Sequence, residues 1–148
     1  MKKYFILFSF LFIFISNAQI LERTALNISY RYIGRNVLQT GLEFKLGDSN
    51  DKSVILGPSI LYTRINAANK FIPEANIYYI NNGQLYGASV NQYAVEPRIG
   101  ISLFNIFFLN TGYAFPIYKD KYFKGITFGI QFNIAPKKSN FYDNLKMM

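Results

Sequence analysis

From Thr24 onward the chain alternates large apolar residues with small or polar ones, in runs of about ten residues broken by Gly, Asn, Asp and Lys clusters. The clearest run is 124–134, where Ile126, Phe128, Ile130, Phe132 and Ile134 alternate with Gly125, Thr127, Gly129, Gln131 and Asn133. Successive side chains of a strand point to opposite faces, so this run has one apolar face and one thin polar face. The same period predicts strands at 24–33, 37–46, 53–65, 71–80, 93–104 and 106–117. A weaker run at 84–90 is either a strand or a loop, which leaves the count at seven or eight. No helical period stands out after residue 19.

Turn chemistry separates these runs. Gly34-Arg35-Asn36 and Asn81-Asn82-Gly83 suit tight hairpins, 47–52 is a polar cluster, 66–70 reads as a loop, and Tyr118–Tyr122 leads into the last strand. Pro58 lacks a ladder donor and predicts a bulge or other irregularity in the third strand.

The polar face decides the architecture. It carries Arg31, Glu43, Lys45, Glu74, Glu96 and Arg98, interleaved with Gly41, Gly57, Gly100, Gly112, Gly125 and Gly129. Two environments fit a chain of this kind. In a membrane barrel the apolar face meets lipid and the polar face fills the lumen. An eight-stranded barrel has an interior only wide enough for side chains, so these three acids and three bases would neutralise one another there, with glycines leaving room. In a soluble barrel the polar face is solvated and the apolar face encloses a core or a small apolar ligand. Solvated strands usually carry more Lys, Glu and Thr and fewer glycines. The expectation is an all-β, antiparallel up-and-down barrel of about eight strands, preceded by a cleaved signal peptide.

Aromatic placement points the same way. If odd-numbered strands run outward, one rim gathers Tyr30, Tyr32, Tyr62, Phe71, Tyr113, Phe115, Tyr122 and Phe123, as an interfacial aromatic girdle requires.

The N-terminus adds location. Lys2 and Lys3 precede an apolar run from Tyr4 to Ile15, then Ser16-Asn17-Ala18-Gln19. Charged start, short apolar stretch and small residues describe a secretory signal peptide cut after Ala18. The run is shorter than the roughly 20 residues of a spanning helix. Residues 1–18 are therefore read as signal peptide, 19–134 as the barrel and 135–148 as a loose polar tail; about 130 mature residues suit one domain. The formal net charge of +8 suits anionic lipid headgroups or lipopolysaccharide phosphates better than nucleic acid, which exported chains rarely meet.

Candidate chemistry is sparse. The sequence has no His and no Cys, which removes His-based triads and dyads, the usual zinc sites and disulfides. Glu43, Glu74 and Glu96 resemble a carboxylate pair for glycoside hydrolysis, but a filled lumen admits no sugar and mutual pairing with the bases is the plainer reading. Asp48-Ser49-Asn50-Asp51 has calcium-type oxygens without the ordered spacing of an EF-hand. No enzymatic activity, cofactor or metal is expected.

The Asn17-Ala18-Gln19 junction, Glu96-Pro97-Arg98-Ile99-Gly100, Asn110-Thr111-Gly112-Tyr113 and Gly125-Ile126-Thr127-Phe128-Gly129-Ile130 together resemble the small outer-membrane β-barrel proteins of Gram-negative bacteria, particularly those of the Bacteroidetes type. The resemblance spans most of the mature chain and is architectural. It implies location in the cell outer membrane, with outer-membrane lipid, lipopolysaccharide and the barrel assembly machinery as partners, and a structural or surface-interaction role. The alternative is a periplasmic location. Such barrels commonly end on an aromatic residue, whereas this chain ends Lys146-Met147-Met148; an internal signal would fall on Phe132.

Overall fold

The structure is a computed structural model that describes residues 18–46, 52–137 and 139–142. Almost all of the expected signal peptide, and the acidic cluster 48–51, lie outside these residues. A single turn of helix, α1 (Ala18–Glu22), leads into eight strands: β1 (Thr24–Ile33), β2 (Asn36–Leu46), β3 (Lys52–Ile65), β4 (Ala68–Asn81), β5 (Gln84–Asn91), β6 (Ala94–Leu103), β7 (Phe107–Pro116) and β8 (Gly125–Ile134). Each pairs antiparallel with its chain neighbours, and β8 pairs with β1 to close the barrel. The stretch left open between strand and loop is β5, paired with β4 and β6 along its length.

The register fixes the barrel's shape. Passing from Thr24 across Phe44, Leu56, Ile77, Ala88, Pro97, Tyr113 and Ile126 returns to β1 near Gly34, a shear of about ten residues. Strands about 4.8 Å apart that rise about 3.3 Å per residue then tilt by roughly 40°. Ten such residues climb about 25 Å, the height of the apolar band in outer-membrane barrels.

One local detail departs from the sequence reading, and a second narrows it. The expected loop 66–70 is a two-residue hairpin turn, because Asn66 and Ala67 adopt φ of 52° and 63° and β4 resumes at Ala68 opposite Ile65. The alanine at a left-handed position gave no turn signal. Pro58 causes no bulge: the β2–β3 register is unchanged on either side, and only the pairing of Leu42–Glu43 with Gly57–Pro58 lapses.

The faces are as alternation requires, with polar residues inside and apolar residues outside. On β8, Ile126, Phe128, Ile130 and Phe132 are exposed, whereas Thr127, Gln131 and Asn133 are buried. The interior has three layers. Its middle is polar, and two apolar clusters close its ends. Ile33, Val37, Leu61, Ile65, Ile72, Ala94, Ala114 and Phe123 fill the end distal to the termini. Ala25, Ile55, Tyr78, Ile80, Leu85, Phe108 and Phe141 fill the end beside them.

The tail is not loose where it is described. Phe141 is 0% exposed inside the terminal end, and its carbonyl accepts a bond from Asn105 Nδ2 at 3.2 Å. The Tyr142 hydroxyl accepts from the Ala135 amide at 2.6 Å and donates to the Asn133 carbonyl at 3.1 Å. Burying one large aromatic outweighs the polar composition that suggested a free tail.

Candidate functional site: a sealed polar lumen and two rims

The sequence singled out six inward charges, and the structure joins four of them. Arg31 enters from β1, Glu74 from β4, and Glu96 and Arg98 from β6. Register brings these strands' residues to one height. The Arg31 guanidinium spans both acids, donating to Glu74 Oε1 and Glu96 Oε2, and to Gln39 Oε1 at 2.8 Å. Arg98 donates from one terminal nitrogen to Glu74 Oε1 at 3.2 Å and Asn76 Oδ1 at 3.1 Å, and from the other to the Tyr78 hydroxyl at 2.9 Å. Its Nε stands 3.2 Å from Glu96 Oε1.

The second oxygen of each acid also accepts a hydrogen bond. Asn91 Nδ2 donates to Glu74 Oε2 at 2.9 Å and Thr127 Oγ1 to Glu96 Oε1 at 2.7 Å. Two guanidinium and two carboxylate groups therefore balance without water access. A buried ion pair repays its desolvation only when its geometry is good and its other polar atoms are satisfied; here every charged group but Arg98 Nε, which stands near Glu96 without a hydrogen bond, has a bonded partner.

Glu43 stands outside this network. Its Oε1 accepts from Asn27 Nδ2 at 2.9 Å and Gln131 Nε2 at 2.7 Å, while Oε2 has no hydrogen-bond partner. Lys45 is buried two residues further along β2, toward the terminal end. Direct ion pairs thus join Arg31, Glu74, Glu96 and Arg98, four of the six expected charges.

Glycines make space for the arginine stems. Gly129 is the cross-strand partner of Arg31 and Gly112 that of Arg98. A Cβ on either would stand 3.1 Å from the Cγ of the facing arginine. Gly57 faces Glu43 Cγ at the same distance. These are close approaches that only a residue without a side chain allows.

The lumen has no free passage among the described residues, because apolar side chains seal it above and below the charged layer. Nor do three acidic side chains converge there as a metal site.

The outer surface carries aromatic residues at both ends. At the distal end Tyr30, Tyr32, Tyr62, Phe71, Tyr113 and Phe115 face outward. Phe123 does not: it is 0% exposed and turned into the distal cap. Tyr122 packs against that cap. Its hydroxyl accepts from Asn66 Nδ2 at 3.1 Å, and its ring lies 5.5 Å from the Arg35 guanidinium. The residues before β8 belong to a connection that folds over the mouth, so strand alternation does not govern them.

A second outward set, Phe44, Tyr79, Tyr86, Phe107 and Phe132, lies near the terminal end and was missed from sequence. Tyr79 and Tyr86 are register partners flanking the Asn82-Gly83 turn, and that symmetry about a recognised turn was the available signal. Between the two sets the wall is mostly aliphatic, as at Ile28, Leu42, Ile77, Ile99 and Ile130.

The distal rim is strongly basic. The distal connections and adjoining strand ends bear Arg35, Arg64, Lys70, Lys119, Lys121 and Lys124 against Asp120 alone. Arg35 knits three of these connections, donating to the carbonyls of Tyr122 at 3.1 Å and Arg64 at 3.0 Å. No known protein family, curated protein or solved structure matches the chain.

Proposed function

We propose that this chain is a non-enzymatic outer-membrane β-barrel of the Gram-negative type, with a structural or surface-interaction role. The observation that carries the reading is the wall: Ile130, at mid-height, is 43% exposed, and its neighbours Leu109 and Tyr30 also face outward. A continuous apolar belt of this extent exceeds the patches that soluble monomers expose. Closure supports the same reading, since every strand is paired and hydrocarbon tolerates no unpaired edge. Aromatic residues at both ends match the two bilayer interfaces. With both termini on the periplasmic side, the basic distal rim meets the outer leaflet.

The competing reading, a soluble periplasmic barrel with an apolar ligand inside, finds the interior occupied by ion pairs, amides and two apolar caps. The sealed lumen also argues against a general porin, and short distal turns argue against a broad receptor. Fractionating cells that express the full chain tests the proposal. The expected result is recovery in the outer membrane with a gel mobility that shifts on boiling; recovery in the soluble periplasmic fraction would overturn it.

A further inference from the structure

Two features meet on one quarter of the barrel. The outer wall bears a groove of about 440 Å³ across β6, β7, β8 and β1. Its floor is Thr111; Ile99 and Ile101 form one side, and Phe128 and Tyr30 the other. The floor is less polar than its sequence suggests, because the Thr111 hydroxyl donates to the Thr127 carbonyl at 2.8 Å. The Tyr30 hydroxyl likewise donates to Asn36 Oδ1 at 2.8 Å. A narrow barrel wall is otherwise convex and touches a lipid chain along a line. A groove surrounds the chain and multiplies the dispersion contacts.

The connections above the same strands carry the second feature. Lys119, Lys121 and Lys124 are exposed on the segment between β7 and β8. Lys124 directly precedes the strand whose Phe128 borders the groove, and Arg35 follows the end of β1. The one acid of this rim, Asp120, is engaged by the Tyr122 hydroxyl at 3.4 Å. Cationic side chains level with headgroups attract phosphate, and monoesters carry more charge than the single diester of a glycerophospholipid.

We propose that this groove and rim form a site for one phosphorylated glycolipid of the outer leaflet, of the lipid A class. One acyl chain lies over Thr111, and the sugar phosphates sit among Lys119, Lys121, Lys124 and Arg35. The inference rests on the outer-membrane reading and its orientation. A glycolipid is favoured because its broad, multiply charged headgroup spans a row of separate cations.

Native mass spectrometry of the folded full chain in detergent tests this, with lipid A, dephosphorylated lipid A and phosphatidylglycerol as probes. The wild-type barrel retains one lipid A and holds the other two probes weakly. T111W, which fills the groove, and the triple variant K119Q/K121Q/K124Q each weaken retention by at least about tenfold. I77W, the same kind of change on the opposite wall, leaves it intact. High salt weakens the wild-type complex and leaves the residual binding of the triple variant little changed. Equal retention of all three probes, or wild-type retention by T111W and the triple variant, overturns the site. A heat-shifted barrel in the outer membrane that retains no lipid A sinks this inference alone. A soluble periplasmic product sinks the function proposal and this inference together.

Discussion

The wall and the lumen are made by the same strands, yet they obey opposite rules. On β8 the outward series is Ile126, Phe128, Ile130, Phe132 and the inward series is Thr127, Gly129, Gln131, Asn133. Outside, most side chains are apolar and only a few, such as Thr40, Thr111 and Tyr30, depend on a particular neighbour. Inside, each polar atom needs a particular partner, and size is matched residue by residue, as Gly129 is to Arg31. In water such a chain would gain by reversing its faces. The difference teaches that the lumen carries the specificity of the fold and the wall carries its choice of solvent.

The sharpest break in that comparison is to remove one lumen cation. Arg31→Leu leaves Glu74 and Glu96 short of the guanidinium that spans them, and unpairing a buried charge costs about 3–5 kcal/mol. The urea midpoint of the heat-shifted band should fall accordingly. Adding Glu96→Gln should restore part of the loss, since the two changes share one interaction.

On the outer-membrane reading, the wall responds to depth and not to partners. Ile130→Arg, at mid-height, should cost about 2–4 kcal/mol in lipid, whereas Tyr32→Arg near the distal interface should cost only about 0–1 kcal/mol. Folding yields of the two variants into lipid vesicles measure the gradient. Equal, near-neutral effects at both depths would remove the bilayer from the argument, because an exposed site in water tolerates arginine anywhere.

How much of this was legible depends on where a residue sits along the barrel. Strands β2 and β8 read clearly because their inward residues are mostly small or polar. Strand β3 read poorly because Ile55, Leu61 and Ile65 point inward into the two apolar ends. The same effect made β5 ambiguous, since Leu85 is buried and Gly87 and Ala88 weaken the alternation. Which acid meets which base was not legible at all. Glu43, Glu74 and Glu96 look alike within their strands, and only the shear around the ring sets Glu74 and Glu96 level with Arg31 and leaves Glu43 below them. Phe123 and Phe141 were misjudged for another reason: both lie outside the strands, where chain reversal decides what is buried.

Size matching inside the lumen gives a smaller test. Gly129→Val places branched carbon against the Arg31 stem and the Asn110 side chain, and overpacking of this kind costs about 1–3 kcal/mol. An equivalent outward change that also adds volume, Ala75→Val on the exposed face of β4, should be silent. Comparing urea midpoints of the two variants shows whether volume is policed only on the inner face.

The smallest expected effect separates the two kinds of buried acid. Glu43 is met by the amide donors of Asn27 and Gln131 on one oxygen only. In Glu43→Gln the side-chain oxygen keeps both bonds, and the amide nitrogen replaces an oxygen that has no partner. The change should therefore move stability by less than about 1 kcal/mol in either direction. Glu74→Gln alters a carboxylate that holds both arginines and Asn91, so it should cost several times more. If the two glutamines cost the same, then charge balance across the whole lumen matters more than local pairing. The lumen would then resemble the wall in being indifferent to partners, and the contrast between them would rest on polarity alone.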